Sequence, residues 1–136
     1  WNSWFREIRK VMYEYHAVVD RVVDGDTLDV TIDLGFHAHI KTRVRMEGMN
    51  APESRTRDLE EKERGLAAKA RLKEIIEYNN NHCILRVSGL GKYGRALATV
   101  FVDKLSPVAK EGITLVDVNK QLIKEGHAVE YDGGKR

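Results

Sequence analysis

The chain of 136 residues contains one cysteine and two prolines. A lone cysteine closes no internal disulfide, and Cys83, set in the run HCILRV, reads as a small apolar residue of a buried strand rather than as a nucleophile or ligand. Proline-rich linkers, low-complexity tracts and internal repeats are all missing, which leaves no obvious seam between domains. Apolar stretches such as 98–102 are far shorter than the ~20 residues of a spanning helix, so no membrane partner is expected. Nor is there a strong excess of one charge. The 23 Lys and Arg against 21 Asp and Glu leave +2, which permits a polyanionic partner without demanding one. The five histidines show no zinc-ligand spacing: His37 and His39 would share one face of a strand, but no third ligand accompanies them.

What is present is the composition of a globular protein, with 42% hydrophobic and 32% charged residues, and a length that suits one core. Residues 13–136 are expected to form a single domain. The preceding 1–12 read as a helical extension, with Trp1, Trp4, Phe5 and Ile8 at helical spacing. Three strands are predicted over 13–23, 27–34 and 37–47, the second with Leu28, Val30, Ile32 and Leu34 alternating against polar residues. The apolar pattern of 66–78 predicts an amphipathic helix that starts at Asp58 or Gly65 and ends at the run Asn79-Asn80-Asn81. Two further strands, 83–87 and 96–102, flank a glycine-rich connection, and a second helix over 118–125 stops at Gly126. The fold class is therefore α+β, mainly β: a five-stranded Greek-key barrel with packed helices.

Three short motifs carry chemistry: VDGDT at 23–27, NAPES at 50–54 and KYGRALA at 92–98. Asp26 and Asn50 offer oxygen ligands of the kind that suits a hard cation such as Ca²⁺ or Mg²⁺ better than zinc. Glu53, just behind Pro52, is placed with little freedom and can orient or deprotonate water. Arg45 and Arg95 can grip phosphate oxygens with a bidentate fork that lysine lacks. Each motif alone has a plainer meaning, since Asp-Gly-Asp is commonly only a turn and a lone arginine is commonly solvated. The segment 54–65 reads as a charged, solvated loop, although Arg55 and Arg57 within it could meet a nucleic-acid backbone.

In combination, VVDGDT, RVRMEGMNAPE, KYGRALATVFV and VNKQLIKEGHA, in that order from about Tyr15 to Ala128, resemble the staphylococcal nuclease (thermonuclease-like) family. The resemblance implies a barrel of the oligonucleotide-binding type and a Ca²⁺-dependent endonuclease, with Mg²⁺ or another divalent cation as the alternative in its place, that hydrolyses DNA and RNA with low sequence specificity. It implies Asp26, Asn50 and the carbonyl of Ala51 as metal ligands, with Asp24 as metal support, and Arg45, Glu53 and Arg95 as catalytic residues. Glu53 would act as base or as water organiser. It also implies Tyr93, with Lys92 beside it, as substrate-binding. Asn50 departs from the aspartate of the family's best-known member, and removing a negative ligand predicts weaker calcium binding. The alternative is a weak or inactive nuclease-like module that binds nucleic acid or protein, as in Tudor-containing proteins. Retention of Asp26, Arg45, Glu53 and Arg95 favours the enzyme, while Asn50 argues the other way. No compartment or oligomeric state is assigned, because the chain starts at Trp1 and a leader upstream of it stays open.

Overall fold

A computed structural model of the chain describes residues 13–90, 95–105 and 115–131. Strand β1 (Tyr13–Asp24) runs antiparallel to β2 (Thr27–Gly35), which runs antiparallel to β3 (Ala38–Met46). β1 also pairs with β5 (His82–Leu90), β5 pairs with β6 (Ala96–Val102), and β6 returns to β3 in parallel through Val44↔Ala96, Arg45↔Leu97 and Met46↔Ala98. That last pairing closes the sheet into the five-stranded barrel that the alternation of the sequence predicted, and closure removes most edges.

Inward-facing residues of every barrel strand fill one core. Leu28, Val30, Val44, Met46, Leu85, Ala98 and Val100 are each at most 1% exposed. In β1 the alternation that buries Ala17 and Val19 shifts where the register slips between Val19 and Arg21, so that Val22 and Val23 turn inward before the Asp24-Gly25-Asp26 turn.

Helix α1 (Leu59–Tyr78) packs Gly65, Ala68, Leu72, Ile75 and Ile76 inward. It begins at the Asp58 cap, whose carboxylate accepts from the N–H groups of Glu60 and Glu61 at 3.1 and 3.3 Å. Of the two predicted starts, Asp58 holds, and Gly65 lies inside the helix. The charged stretch 59–65 is thus helix rather than loop. At the other end Asn80 and Asn81 take positive φ of 55° and 64°, and the N–H groups of Asn81 and Asn80 bond the carbonyls of Ile76 and Glu77 in a Schellman arrangement.

Helix α2 (Val118–Lys124), entered from the short strand β7 (Val116–Asp117), ends in the same motif, with Gly126 at φ 83°. Two more short strands, β4 (Met49–Asn50) and β8 (Val129–Glu130), pair with each other beyond the barrel. Among the described residues no helix is long and apolar enough to cross a membrane. The predicted extension 1–12 lies outside the described residues.

The β2–β3 hairpin is turned by Gly35-Phe36-His37, all at positive φ (80°, 52° and 63°). Only glycine adopts this conformation freely, and each of the other two residues carries a cost of about 1 kcal/mol.

Candidate functional site

Asp26 and Thr27 end the β1–β2 turn, and both are buried although polar. The Asp26 carboxylate is fully engaged. Its Oδ1 accepts the Thr27 hydroxyl at 2.9 Å, and its Oδ2 accepts the Ala51 N–H at 3.0 Å. The same Oδ2 lies 2.5 Å from Nη1 of Arg45. Strand β3 brings Arg45 there because the cross-strand register sets it opposite Thr27. The guanidinium reaches on to Asn50, whose Oδ1 accepts from Nη2 at 3.1 Å. Arg45 is only 8% exposed, and its Nη1, fully buried, makes the ion pair with Asp26 without the alignment of a hydrogen bond. The backbone follows the side chains: Met46 N–H donates to the carbonyl of Asp26 at 2.8 Å, and Asn50 pairs with Val129 of β8.

Four of the sequence-predicted residues, Asp26, Arg45, Asn50 and Ala51, therefore meet in one network drawn from the β1–β2 turn, β3 and the loop after it. Glu53 stands apart from that network, exposed to solvent. Its backbone is fixed from behind. A Cβ at Gly65 of α1 would sit 2.3 Å from the carbonyl oxygen of Glu53 and 2.7 Å from the nitrogen of Ser54, so the helix touches this loop backbone to backbone. Ser54, 3% exposed, donates its hydroxyl to Oδ1 of Asp24. Asp24 is thereby a tie between the β1–β2 turn and the Glu53 loop. A second close approach completes the bracket: a Cβ on Gly25 would lie 2.7 Å from Cβ of Ala68 and 3.0 Å from Cβ of Ala51. Gly65 and Ala68 are one turn apart on α1, so a single helix face sets both halves of the site.

Arg95 is half-buried and immediately precedes β6, whose Ala96 and Leu97 pair with Val44 and Arg45. The closing seam of the barrel thus carries both predicted arginines to the same end of the β3–β6 pair. Lys92 and Tyr93 lie outside the described residues.

Three positioning elements escaped sequence reading. Ser54 and the α1 face of Gly65 were hidden because their partners are distant in sequence; the one signal was a helix-disfavouring glycine within a helical pattern. Asn119 is the third. It is 4% exposed, accepts the Val100 N–H at 3.1 Å and donates to the carbonyls of Glu47 and Ala98 at 2.8 and 3.2 Å. Its signal was a polar residue at an inward position of the α2 pattern.

The oxygen donors of this network are few for a divalent cation. Asp26 supplies the one carboxylate of the network, and the described residues hold no group of three His, Cys, Asp or Glu side chains able to share a metal. Arg45 already brings positive charge to the Asp26 and Asn50 oxygens that a cation would need. In this arrangement the set does not fit Ca²⁺, because hard cations gather several anionic oxygens and a guanidinium at 2.5 Å competes for the same ones.

Beside the network lies a cleft of about 490 Å³ lined by Asn50, Ala51 and Pro52, by Glu61 and Arg64 of α1, and by Val129. It opens the same loop to solvent from the helix side.

The family model described as "Staphylococcal nuclease homologue" matches residues 43–135, more than half of the chain. A protein of Escherichia coli described as "Protein ParB" is 29% identical over 118 residues, which make up 87% of this chain and 58% of that protein. The chain thus spans less than two thirds of that relative's length.

Proposed function

Because the chain belongs to the staphylococcal nuclease homologue family, we propose that it is a hydrolase that cleaves phosphodiester bonds of DNA and RNA with little sequence preference. The observation that carries this reading is the joint placement of two kinds of group at one end of the barrel. The exposed Glu53, whose backbone is held by Gly65 and whose neighbour Ser54 is tied to Asp24, follows in one loop the Asn50 and Ala51 of the buried Asp26–Arg45 network. A rigid loop that holds an exposed carboxylate suits proton transfer, which requires position first and basicity second.

In the proposed reaction the strand lies across this end of the barrel, and its phosphate meets the positive potential of Arg45 and Arg95. Glu53 orients a water molecule and takes its proton as the oxygen attacks phosphorus in line, while the opposite P–O bond breaks and the leaving sugar oxygen departs and is protonated by solvent. The two arginines balance the charge that grows on the phosphoryl oxygens, and preorganised charge of this kind is usually the largest catalytic contribution. Arg45 has a second duty: its hold on Asp26 and Asn50 keeps the turn and the loop in register, so the phosphate shares one guanidinium with the Asp26 carboxylate and the Asn50 amide. Lys92 and Tyr93 are proposed to contact the substrate from the segment before Arg95. Bases would be held by stacking rather than by edge contacts, consistent with low specificity.

A divalent cation, as the family resemblance implies, would have to displace Arg45 from the oxygens of Asp26 and Asn50, and no step above is routed through one. A second reading, a binding module of the same fold, is favoured by one observation: Arg45 already engages the oxygens of Asp26 and Asn50, and Asn50 is a neutral amide.

The deciding experiment is cleavage of labelled single-stranded DNA with Ca²⁺, Mg²⁺ or chelator, beside the Glu53→Gln variant. Cleavage that falls about 100-fold or more in the variant supports hydrolysis with Glu53 as base or water organiser. The metal arm shows whether a cation adds to Arg45. Strands that stay intact under every metal while still bound in a salt-sensitive way favour the binding module.

A further inference from the structure

The tip of the β2–β3 hairpin is built at a cost that the fold does not recover. Phe36 is 102% exposed, so its ring packs on nothing in the described structure. It and His37 occupy the two central positions of a tight turn at positive φ, where Asn-Gly would sit without strain. The turn is nevertheless fixed, since the Gly35 N–H donates to Oδ1 of Asp33 at 2.8 Å. Leu34 and Ile40, 45% and 48% exposed, add further apolar surface to the same hairpin. A strained turn that holds an aromatic side chain in water points to a partner for that ring.

Strand β3 shows what kind of partner. His39, Lys41, Arg43 and Arg45 alternate onto one face, and the first three are exposed. Arg43 is paired with Asp29 at 2.8 Å, which leaves Lys41 as the cationic group nearest the tip, with the polar His39 beyond it. The row starts beside Phe36 and ends at Arg45 in the candidate site. His37 and the strand residues 38–44 separate the two, a span of about 30 Å. β3 pairs with β6 only through residues 44–46, so among the described residues its edge away from β2 is unpaired along 38–43. An aromatic ring at one end of a basic row whose other end is the candidate phosphate site matches the alternation of bases and phosphates in a single strand.

Resting on the nuclease reading, we propose that the β2–β3 hairpin is a second contact for single-stranded nucleic acid: Phe36 stacks on a base about 30 Å from the scissile phosphate while Lys41 and His39 follow the backbone. Strands that reach the tip are then held more tightly than strands that fill only the catalytic end.

The test uses the full chain with labelled single strands of about 20 and about 4 nucleotides, since one barrel of this type covers on the order of 4–16 nucleotides. Binding is read by anisotropy in chelator, and cleavage is read under the conditions found best for the parent. Phe36→Ala is expected to weaken binding of the longer strand about tenfold, within the range for loss of one stacked base, and to leave cleavage of the shorter strand unchanged. Phe36→Trp is expected to keep or improve binding. Replacing Phe36 by Asn and His37 by Gly together is expected to raise the Tm by a few degrees while losing the longer-strand advantage, which separates a stacking role from a structural one.

If Phe36→Ala binds and cuts both strands like the parent, the hairpin contact is overturned and the nuclease reading stands. If the parent neither binds nor cuts either strand, both fail. Unchanged strand binding with lost adhesion to phosphatidylserine vesicles would also overturn the proposal and assign the tip to a lipid surface.

Discussion

Gly65 and Asp26 illustrate how single residues set the chemistry here. Within an exposed helix, Gly→Ala is worth about 1 kcal/mol of stabilisation. At Gly65 the new Cβ would lie 2.3 Å from the Glu53 carbonyl oxygen, and neither backbone can yield without moving the loop. Gly65→Ala is therefore expected to destabilise by about 1–3 kcal/mol, the usual cost of overpacking. It should also lower kcat with little change in KM, because the displaced group is the carboxylate rather than the arginines; chemical denaturation and steady-state kinetics read the two effects. Asp26 shows the converse case, a buried carboxylate whose oxygens are all taken, so that its neighbours and not its own reactivity define its role. Cys83 is inert by the same logic. Burial pushes its thiol up to about 12, in keeping with a core position.

At the scale of elements, α2 is joined to the barrel by Asn119 more than by its length. Seven residues make a helix of barely two turns, too short to persist without tertiary support. The Asn119 amide satisfies the Val100 N–H and two carbonyls at the point where β6 and the end of β3 converge. Truncation to alanine would take this partner from the Val100 N–H and the Glu47 carbonyl, while the Ala98 carbonyl keeps the Glu47 N–H at 2.8 Å. Asn119→Ala is expected to cost about 2–3 kcal/mol, with the midpoint of urea unfolding shifted and its slope kept. Asn79 plays a comparable part for α1, where its amide and oxygen bond the carbonyl and N–H of Lys104 at 2.8 and 3.0 Å.

For the whole molecule, the two helices are bridged by Arg71 of α1 and Glu125 just past α2, with bonds of 2.6 and 3.0 Å. The hydrogen bond from Arg71 holds the Glu125 carboxyl below its ordinary value. A carboxylate depressed in the folded state stabilises the fold above its unfolded titration and loses that contribution as pH falls through the folded value. The Tm is therefore expected to drop as pH falls below the usual glutamate range. In Glu125→Gln this part of the decline should flatten, as read by calorimetry across an acid series. The pair is partly open to solvent, so its share is small beside the core.

Alternation in 27–34 and 96–102, the glycine at 126 and the asparagines at 79–81 are local signals, and they determined the strands, the helix ends and hence a small barrel. The ordered motifs likewise determined the family, since residue types and spacing survive without coordinates. The start of α1 was ambiguous because Gly65 disfavours a helix in isolation, and only its contact with Glu53 explains why the helix accepts it there. That Arg45 holds Asp26 and Asn50, that Ser54 is tied to Asp24, and that Phe36 stands alone in solvent were decided by tertiary structure. Each depends on groups 5 to 30 residues apart, or on the absence of a packing neighbour. Local propensity carries no information about such distances; barrel closure, which brings β3 against β6 and α1 against two loops, supplies it.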